Sequence, residues 1–343
     1  MWFLYILLML LILVVLIFIH ELGHFITARI CGVAVKEFAI GMGPTLFSWK
    51  SKRYDTKYGI RAIPIGGFVS MVGEDEDSDD DAAFCKKSVP KRMLIVIAGA
   101  TMNLILGFLL MMVIVTASKN LGSTQIYGFQ ENALSSEKLM AGDKIVKVGG
   151  TSVHTSSELV YEIMNQGYEP IDITVIRNGE KQKIEKVSFG TFTESGAVFG
   201  NADFIVHAEA KNVGTVLKHT FFRSVSTVKM VFDSLIGMFS GRFGLEAVSG
   251  PVGVAQVVGQ AAQLGWQSVI YLSAVLSINL GVMNMIPFPA LDGGRFILLG
   301  IEGIRRKPIN KNVESYINFV GIIILFAFMI FITCKDILQL IFK

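Results

Sequence analysis

Four stretches of this chain are apolar over lengths that leave them few structural choices. They run approximately from Trp2 to Ile30, Met93 to Ala117, Ser268 to Pro287 and Ile317 to Thr333, and about 20 apolar helical residues cross a hydrocarbon core of about 30 Å. In hydrocarbon the backbone must satisfy its own hydrogen bonds, so such stretches become helices. With 52% hydrophobic and 17% charged residues, the chain reads as a polytopic α-helical membrane protein with about four transmembrane helices, so the lipid bilayer is its first partner. The opening run lacks a basic leader and a small-residue cleavage site, so residues 1–30 read as a retained span rather than a signal peptide. A net charge of +3 with dispersed Lys and Arg gives no reason to expect nucleic acid as a partner.

Inside the first span lies a feature that hydrocarbon disfavours. His20-Glu21-Leu22-Gly23-His24 carries the only ionisable side chains between residues 6 and 28, and such groups within a membrane mark functional sites. The spacing is H-E-x-x-H, which on a helix puts His20 and His24 one turn apart on one face, where they can grip a zinc ion. Glu21 then stands beside that ion, placed to deprotonate a water. The bland alternative is a satisfied polar knot or a helix end at the water interface. Cys31, Cys85 and Cys334 are too scattered for a C-x-x-C knuckle or a disulfide framework. Metal must therefore use His and carboxylate.

Basic residues set the expected orientation. No Lys or Arg precedes Arg29, whereas the loop 31–92 holds Lys36, Lys50, Lys52, Arg53, Lys57, Arg61, Lys86, Lys87, Lys91 and Arg92, and the loop 288–316 holds Arg295, Arg305, Arg306, Lys307 and Lys311. The positive-inside rule puts both loops in the cytoplasm and both termini outside. His20 then lies near the cytoplasmic face but within the membrane, since the residues before it span roughly 27 Å. Within the first loop, Tyr58 to Gly73 is rich in β-branched residues broken by glycines and one proline, and reads as a strand or a membrane-associated cytoplasmic β-hairpin at about 58–73. An exposed strand edge there offers pairing to an extended substrate. The acidic run 74–81 reads as a solvated linker, having no EF-hand spacing.

The second span, 93–117, brings Ala98, Gly99 and Ala100, small enough for close helix approach, and Asn103, which reads as structural glue. Residues 118–200 are soluble in composition: short strands, a helix candidate at 155–165 and the turn Asn178-Gly179 make a small extracytoplasmic α+β module. Its His154 falls on the wrong side of the membrane to join His20. Residues 201–267 read as an extracytoplasmic amphipathic helical region, with His207 and His219 at the surface. The third span, 268–287, runs inward and ends in Asn284-Met-Ile-Pro-Phe-Pro-Ala-Leu-Asp-Gly-Gly294, and the fourth occupies 317–341. A catalytic zinc site needs three protein ligands and one open position. Read alone, Asp292-Gly293-Gly294 is a turn; beside two histidine ligands at the same depth, Asp292 is the best third ligand.

These motifs resemble the site-2 protease family of intramembrane zinc metalloproteases, in the bacterial branch with a PDZ-like domain between the second and third spans. The resemblance covers nearly the whole chain. It rests on His20-Glu-Leu-Gly-His24, Ile63-Pro-Ile-Gly-Gly-Phe-Val-Ser-Met71, Ala141-Gly-Asp-Lys-Ile-Val-Lys-Val148, Ser249-Gly-Pro-Val-Gly253 and the Asn284 to Gly294 stretch. It implies one Zn2+ per chain on His20, His24 and Asp292, with Glu21 as catalytic base. It further implies that Asn284 holds an unwound substrate segment, and that Gly66 and Gly67 belong to a membrane-dipping hairpin that pairs with it. Where the family usually reads Ala-Gly-Pro-x-x-Asn, this chain has Ala100 in place of proline.

The function so implied is cleavage of single-pass transmembrane segments, such as anti-sigma factors or signal-peptide remnants, in a bacterial cell membrane after an upstream site-1 protease has made an outer cut. Glu21 would act as general base on zinc-activated water. Two other readings stay open at this point. One is a membrane-tethered metalloprotease of soluble cytoplasmic proteins, and the other a non-enzymatic PDZ scaffold with structural zinc.

Overall fold

A computed structural model describes residues 2–342 except 53, 54, 75 and 195. Arg53 and Asp75, counted above in the basic loop and the acidic run, lie outside the described residues. In chain order the elements begin with α1 (Trp2–Ile30), β1 (Val35–Lys50), β2 (Lys57–Met71) and α2 (Val89–Ala117). Then come β3 (Leu121–Phe129), β4 (Lys144–Val148), β5 (Thr151–Ser152), α3 (Ser156–Gln166), β6 (Ile171–Arg177), β7 (Glu180–Val187), β8 (Gly190–Glu194), β9 (Ala197–Asn201) and β10 (Phe204–Glu209). The remainder is helical: α4 (Val213–Phe239), α5 (Pro251–Leu264), α6 (Trp266–Asn284), α7 (Asp292–Arg305) and α8 (Lys311–Ile341). Four of these helices are long and apolar enough to cross a bilayer, over Phe3–Ile30, Val89–Ala117, Trp266–Asn284 and Lys311–Gln339. The protein is a multi-pass membrane protein. Residues divide into two compact units, 1–107 with 249–343, and 108–248.

In the first unit, α1 is the axis. Its Met9, Ile12 and Leu16 pack against Ala255 and Val258 of α5. The two helices come together where Gly259 meets the Tyr5 ring, which a Cβ would approach to 2.7 Å. The start of α5, with Pro251 in its first turn, is held by Asp336 of α8, whose Oδ2 accepts from the Gly250 and Gly253 amides at 2.8 and 2.9 Å. A carboxylate at a helix N-terminus satisfies donors that the helix itself cannot. This gives the Ser249 to Gly253 motif a structural role.

Tyr58 to Gly73, expected to form a strand or a hairpin, is mostly the single strand β2; the hairpin is made with Val35–Lys50 rather than within 58–73. Both strands bend. Val35 to Ile40 pairs with Gly67 to Met71 on one side, and Glu37 to Ile40 lies opposite Lys57 to Ile60 on the other, while Phe47 to Lys50 returns along the far side of Lys57 to Ile60. Gly41 and Gly43 supply the bend in β1 with φ of 87° and 84°, values that residues with a Cβ rarely adopt. The sheet is fixed to α1 by rings: Phe38 packs on Phe18 and Phe25 at centroid distances of 5.9 and 5.2 Å.

In the second unit, β10, β3, β4, β6 and β7 form one antiparallel sheet in that order, with β5 paired to β4. Helix α3 begins in a reciprocal cap between Thr155 and Glu158. Its Leu159 and Ile163 are buried against Ile145 and Ile173; each such side chain contributes about 1.5–3 kcal/mol. Because β10 pairs with β3, with Glu209 opposite Leu121, the module extends beyond residue 200, where composition placed its end. Helix α4 joins α3 through Tyr161, whose hydroxyl donates to Asp233 at 2.7 Å, and through Lys229 to Glu162 at 2.6 Å.

One side-chain expectation is corrected in this unit. His219, read as a surface residue, is 4% exposed and lies 3.1 Å from Glu209. Burial alone would raise the Glu209 carboxyl, but Lys218 and His219 outweigh it and hold it below the usual carboxylate range.

Candidate metal centre

The centre is assembled where α1, α2 and α7 meet. On α1 the i, i+4 spacing brings His20 and His24 together, with ring centroids 4.8 Å apart and Nε2 atoms 3.2 Å apart. What lets α2 come alongside is the absence of side chains. A Cβ on Gly23 would overlap the Ala98 carbonyl, and one on Gly99 would overlap Nε2 of His24. The run Ala98-Gly99-Ala100 thus seats two imidazoles against a helix backbone. At Ala100, where the family pattern has proline, the carbonyl is met by Gly281 of α6, on which a Cβ would stand 2.9 Å away.

Asp292 comes from an element that composition did not announce. Residues 288–316 read as a loop, yet Asp292–Arg305 is a helix, and Asp292 is its first residue. The turn before it is tight: Gly293 and Gly294 lie against the Ile286 and Phe288 carbonyls so closely that a Cβ on either would overlap them, and Ala290 adopts a left-handed φ of 71°. Two ion pairs then lock α7. Arg92 of α2 donates a fork of hydrogen bonds to Glu302 at 3.1 and 2.5 Å, and Arg295 pairs with Glu74. Glu74 is therefore an anchor for the helix that carries Asp292 rather than part of a free acidic linker. No local signal marks these pairs, because their partners are up to 221 positions apart.

Asp292 Oδ2 lies 3.3 Å from His20 Nε2 and 3.4 Å from His24 Nε2. Among the described residues this is the one group of three or more His, Cys, Asp or Glu side chains whose ligand atoms converge within 4.8 Å. Its chemistry fits a cation. His24 Nδ1 is 2.8 Å from the Ile95 carbonyl, an atom that only accepts, so Nδ1 carries a proton, and in the neutral ring Nε2 presents its lone pair toward Asp292. The Asp292 Oδ2 atom is buried without a hydrogen-bond partner. Acceptor atoms crowded this way need a positive charge between them. Ligands in a tetrahedron about zinc, each at about 2.0–2.1 Å, stand about 3.3 Å apart, which matches the three observed separations.

The remaining expected site residues fall around this group. Glu21 follows His20 on α1 and is half-buried; its Cγ faces Gly67 of β2, where a Cβ would stand 3.1 Å away. Gly67 thereby carries the sheet past the Glu21 carboxylate. Gly66 has a left-handed φ of 82°, the bend that aims the last stretch of β2 along α1. Asn284 is the last residue of α6, half-buried, and leads into the turn before Asp292. Two contributors that spacing did not reveal are Ile95, which orients His24, and the amide of Asn103, which meets His20 Nδ1 at 3.3 Å. The signal for Asn103 was only its polarity at membrane depth.

Comparison with known proteins gives these residues a context. The sequence model described as peptidase family M50 matches residues 8–328. A Clostridium acetobutylicum protein provisionally named as a zinc metalloprotease is 38% identical over 325 residues, covering 94% of each chain. Zinc metalloprotease RasP of Shouchella clausii is 31% identical over 413 aligned positions, covering 95% of this chain and 97% of the relative. The regulator of sigma-W protease RasP of Bacillus subtilis is 27% identical, with coverage of 95% and 96%.

Proposed function

Since the chain belongs to peptidase family M50, the site-2 proteases, and is thus a zinc metalloprotease of the membrane, we infer that His20, His24 and Asp292 hold its zinc and that Glu21 is the general base for cleavage of transmembrane segments. The observation that carries this reading is the convergence of the three ligand atoms at 3.2–3.4 Å within and beside an apolar helix. A zinc ion held there supplies Lewis-acid polarisation of the scissile carbonyl and acidifies water. Glu21 takes the proton of the attacking water on its carboxylate and returns it to the departing amide nitrogen. The apolar walls of α1 and α2 keep bulk water from the reacting groups, which strengthens the electrostatic interactions among them.

A helical substrate hides its peptide bonds in intrahelical hydrogen bonds, so it must unwind before the water can reach a carbonyl. The edge of β2 from Gly67 to Met71 pairs on one side with β1 and passes Glu21, so an extended segment added to its other side would lie across the site. Asn284 lies in the segment leading to Asp292 and holds the unwound strand from there. The basic residues of 31–92 and 288–316 support a cytoplasmic position for both loops, with the termini and the PDZ-like module of residues 121–209 outside. An impermeant amine label added to intact cells tests this: it should reach Lys138 but leave Lys50 unmodified until the membrane is opened.

The substrate class is the one the family resemblance implies: single-pass segments, already trimmed outside by another protease, as anti-sigma factors and signal-peptide remnants are. Membrane peptides compared between cells with wild-type and Glu21→Gln protein should show such segments accumulating only in the variant. Identical peptide sets would contradict the assignment.

A further inference from the structure

For both histidines to offer Nε2 to one ion, each Nδ1 must carry a proton and find an acceptor for it. His24 has the Ile95 carbonyl at 2.8 Å. Among the described residues, His20 Nδ1 has only the side chain of Asn103, whose Nδ2 lies 3.3 Å away. Asn103 is completely buried, and its Oδ1 is among the few buried polar atoms with no partner. Its place is fixed from behind, because Ser277 of α6 donates to the Asn103 main-chain carbonyl at 2.8 Å. With the backbone held there, the buried amide can meet His20 by either of its two ends.

The two ends of that amide are alike in shape and opposite in chemistry. With Nδ2 toward His20, Nδ1 must accept, and the ring proton moves to Nε2, aimed at His24 Nε2 and Asp292 Oδ2. That proton occupies the space a shared ion would need. With Oδ1 toward His20, Nδ1–H is the donor, the unpartnered oxygen is satisfied, and the Nε2 lone pair is released. We propose that Asn103 is a positioning residue for the zinc centre: its Oδ1 accepts the Nδ1 proton of His20 and holds that imidazole in the one tautomer able to bind the ion. This assignment rests on the zinc reading of His20, His24 and Asp292. It gives the expectation that Asn103 is glue between helices a specific partner and a task for its oxygen.

The test uses full-length protein in detergent, with zinc affinity measured by chelator competition and folding followed by thermal unfolding. Asn103→Leu keeps the volume and removes the acceptor; it should lower zinc affinity by about 10–100-fold, the usual cost of losing an outer-shell partner. Asn103→Asp keeps an acceptor and should hold zinc within about threefold of wild type, on the same principle. If Asn103→Leu binds zinc as tightly as wild type, or Asn103→Asp weakens as much as Asn103→Leu, the assignment is overturned. Should Asn103→Leu not fold, the cobalt-substituted protein decides: a carboxylate accepting from Nδ1 makes His20 a stronger ligand, so Asn103→Asp should shift the visible cobalt bands, and an unmoved spectrum overturns the proposal. Wild-type protein that holds no zinc at all would refute the metal centre itself, a result distinct from any difference between variants.

Discussion

Gly99 of α2 lies directly against His24 of α1, so close that a methyl group on it would overlap the imidazole Nε2 and stand 2.8 Å from Cε1 of His20. The helix opposite the two histidines is therefore part of the proposed metal centre, although the proposed ligand set takes no residue from it. Its contribution is an absence of atoms, which is why glycine is needed at this point and not merely tolerated.

Gly99→Ala should accordingly reduce zinc affinity by at least tenfold while the protein stays folded. Alanine favours a helix interior over glycine by about 0.8–1.0 kcal/mol, so α2 itself gains from the change. Zinc titration together with circular dichroism separates the two effects. Unchanged affinity would mean that the imidazoles can swing away from α2 and still bind.

At Gly66 the backbone is left-handed, with φ of 82°, and a Cβ would approach Met42 Cε to 2.6 Å. Gly66→Ala should strain the bend by about 1–2 kcal/mol and misalign the strand that follows. Cleavage of a membrane-embedded substrate should fall several-fold with zinc content unchanged. Loss of zinc in this variant would argue that the sheet supports the metal rather than the substrate.

The folded module begins in β3 and ends in β10, and its ends are neighbours: Ala208 pairs opposite Gly122 and Glu209 opposite Leu121. Residues 121–209 can therefore be replaced by a short Gly-Ser linker without pulling their flanks apart. If the module excludes substrates with bulky outer domains, the shortened protein should cleave an uncut substrate that wild type leaves intact. Unchanged selectivity would assign the module another task.

What could be read from the chain beforehand divides by range. His20 and His24 stand one helical turn apart with Glu21 beside the first, in a span with no other ionisable side chain between residues 6 and 28, so spacing and setting made them visible. Asp292 needed membrane topology, because Asp-Gly-Gly by itself is a turn and the helix it opens is short and carries Gly300 and Gly303, poor helix formers, in its interior. The strand Val35–Lys50 was hidden for another reason: pairing is a property of two segments, and Gly41, Gly43 and Pro44 made the first resemble a loop. Nor does anything near Glu74 or Arg92 point to Arg295 or Glu302. Those contacts exist only once α7 has docked on α2 and the sheet.

The most direct test of the centre is Glu21→Gln in purified full-length protein, with zinc counted per chain and cleavage of a model single-pass substrate followed in liposomes. Glutamine keeps the size of the side chain and removes the base, and His20, His24 and Asp292 are untouched. The variant should retain one zinc per chain and lose cleavage by at least about 100-fold. Cleavage at the wild-type rate with zinc bound would contradict the mechanism.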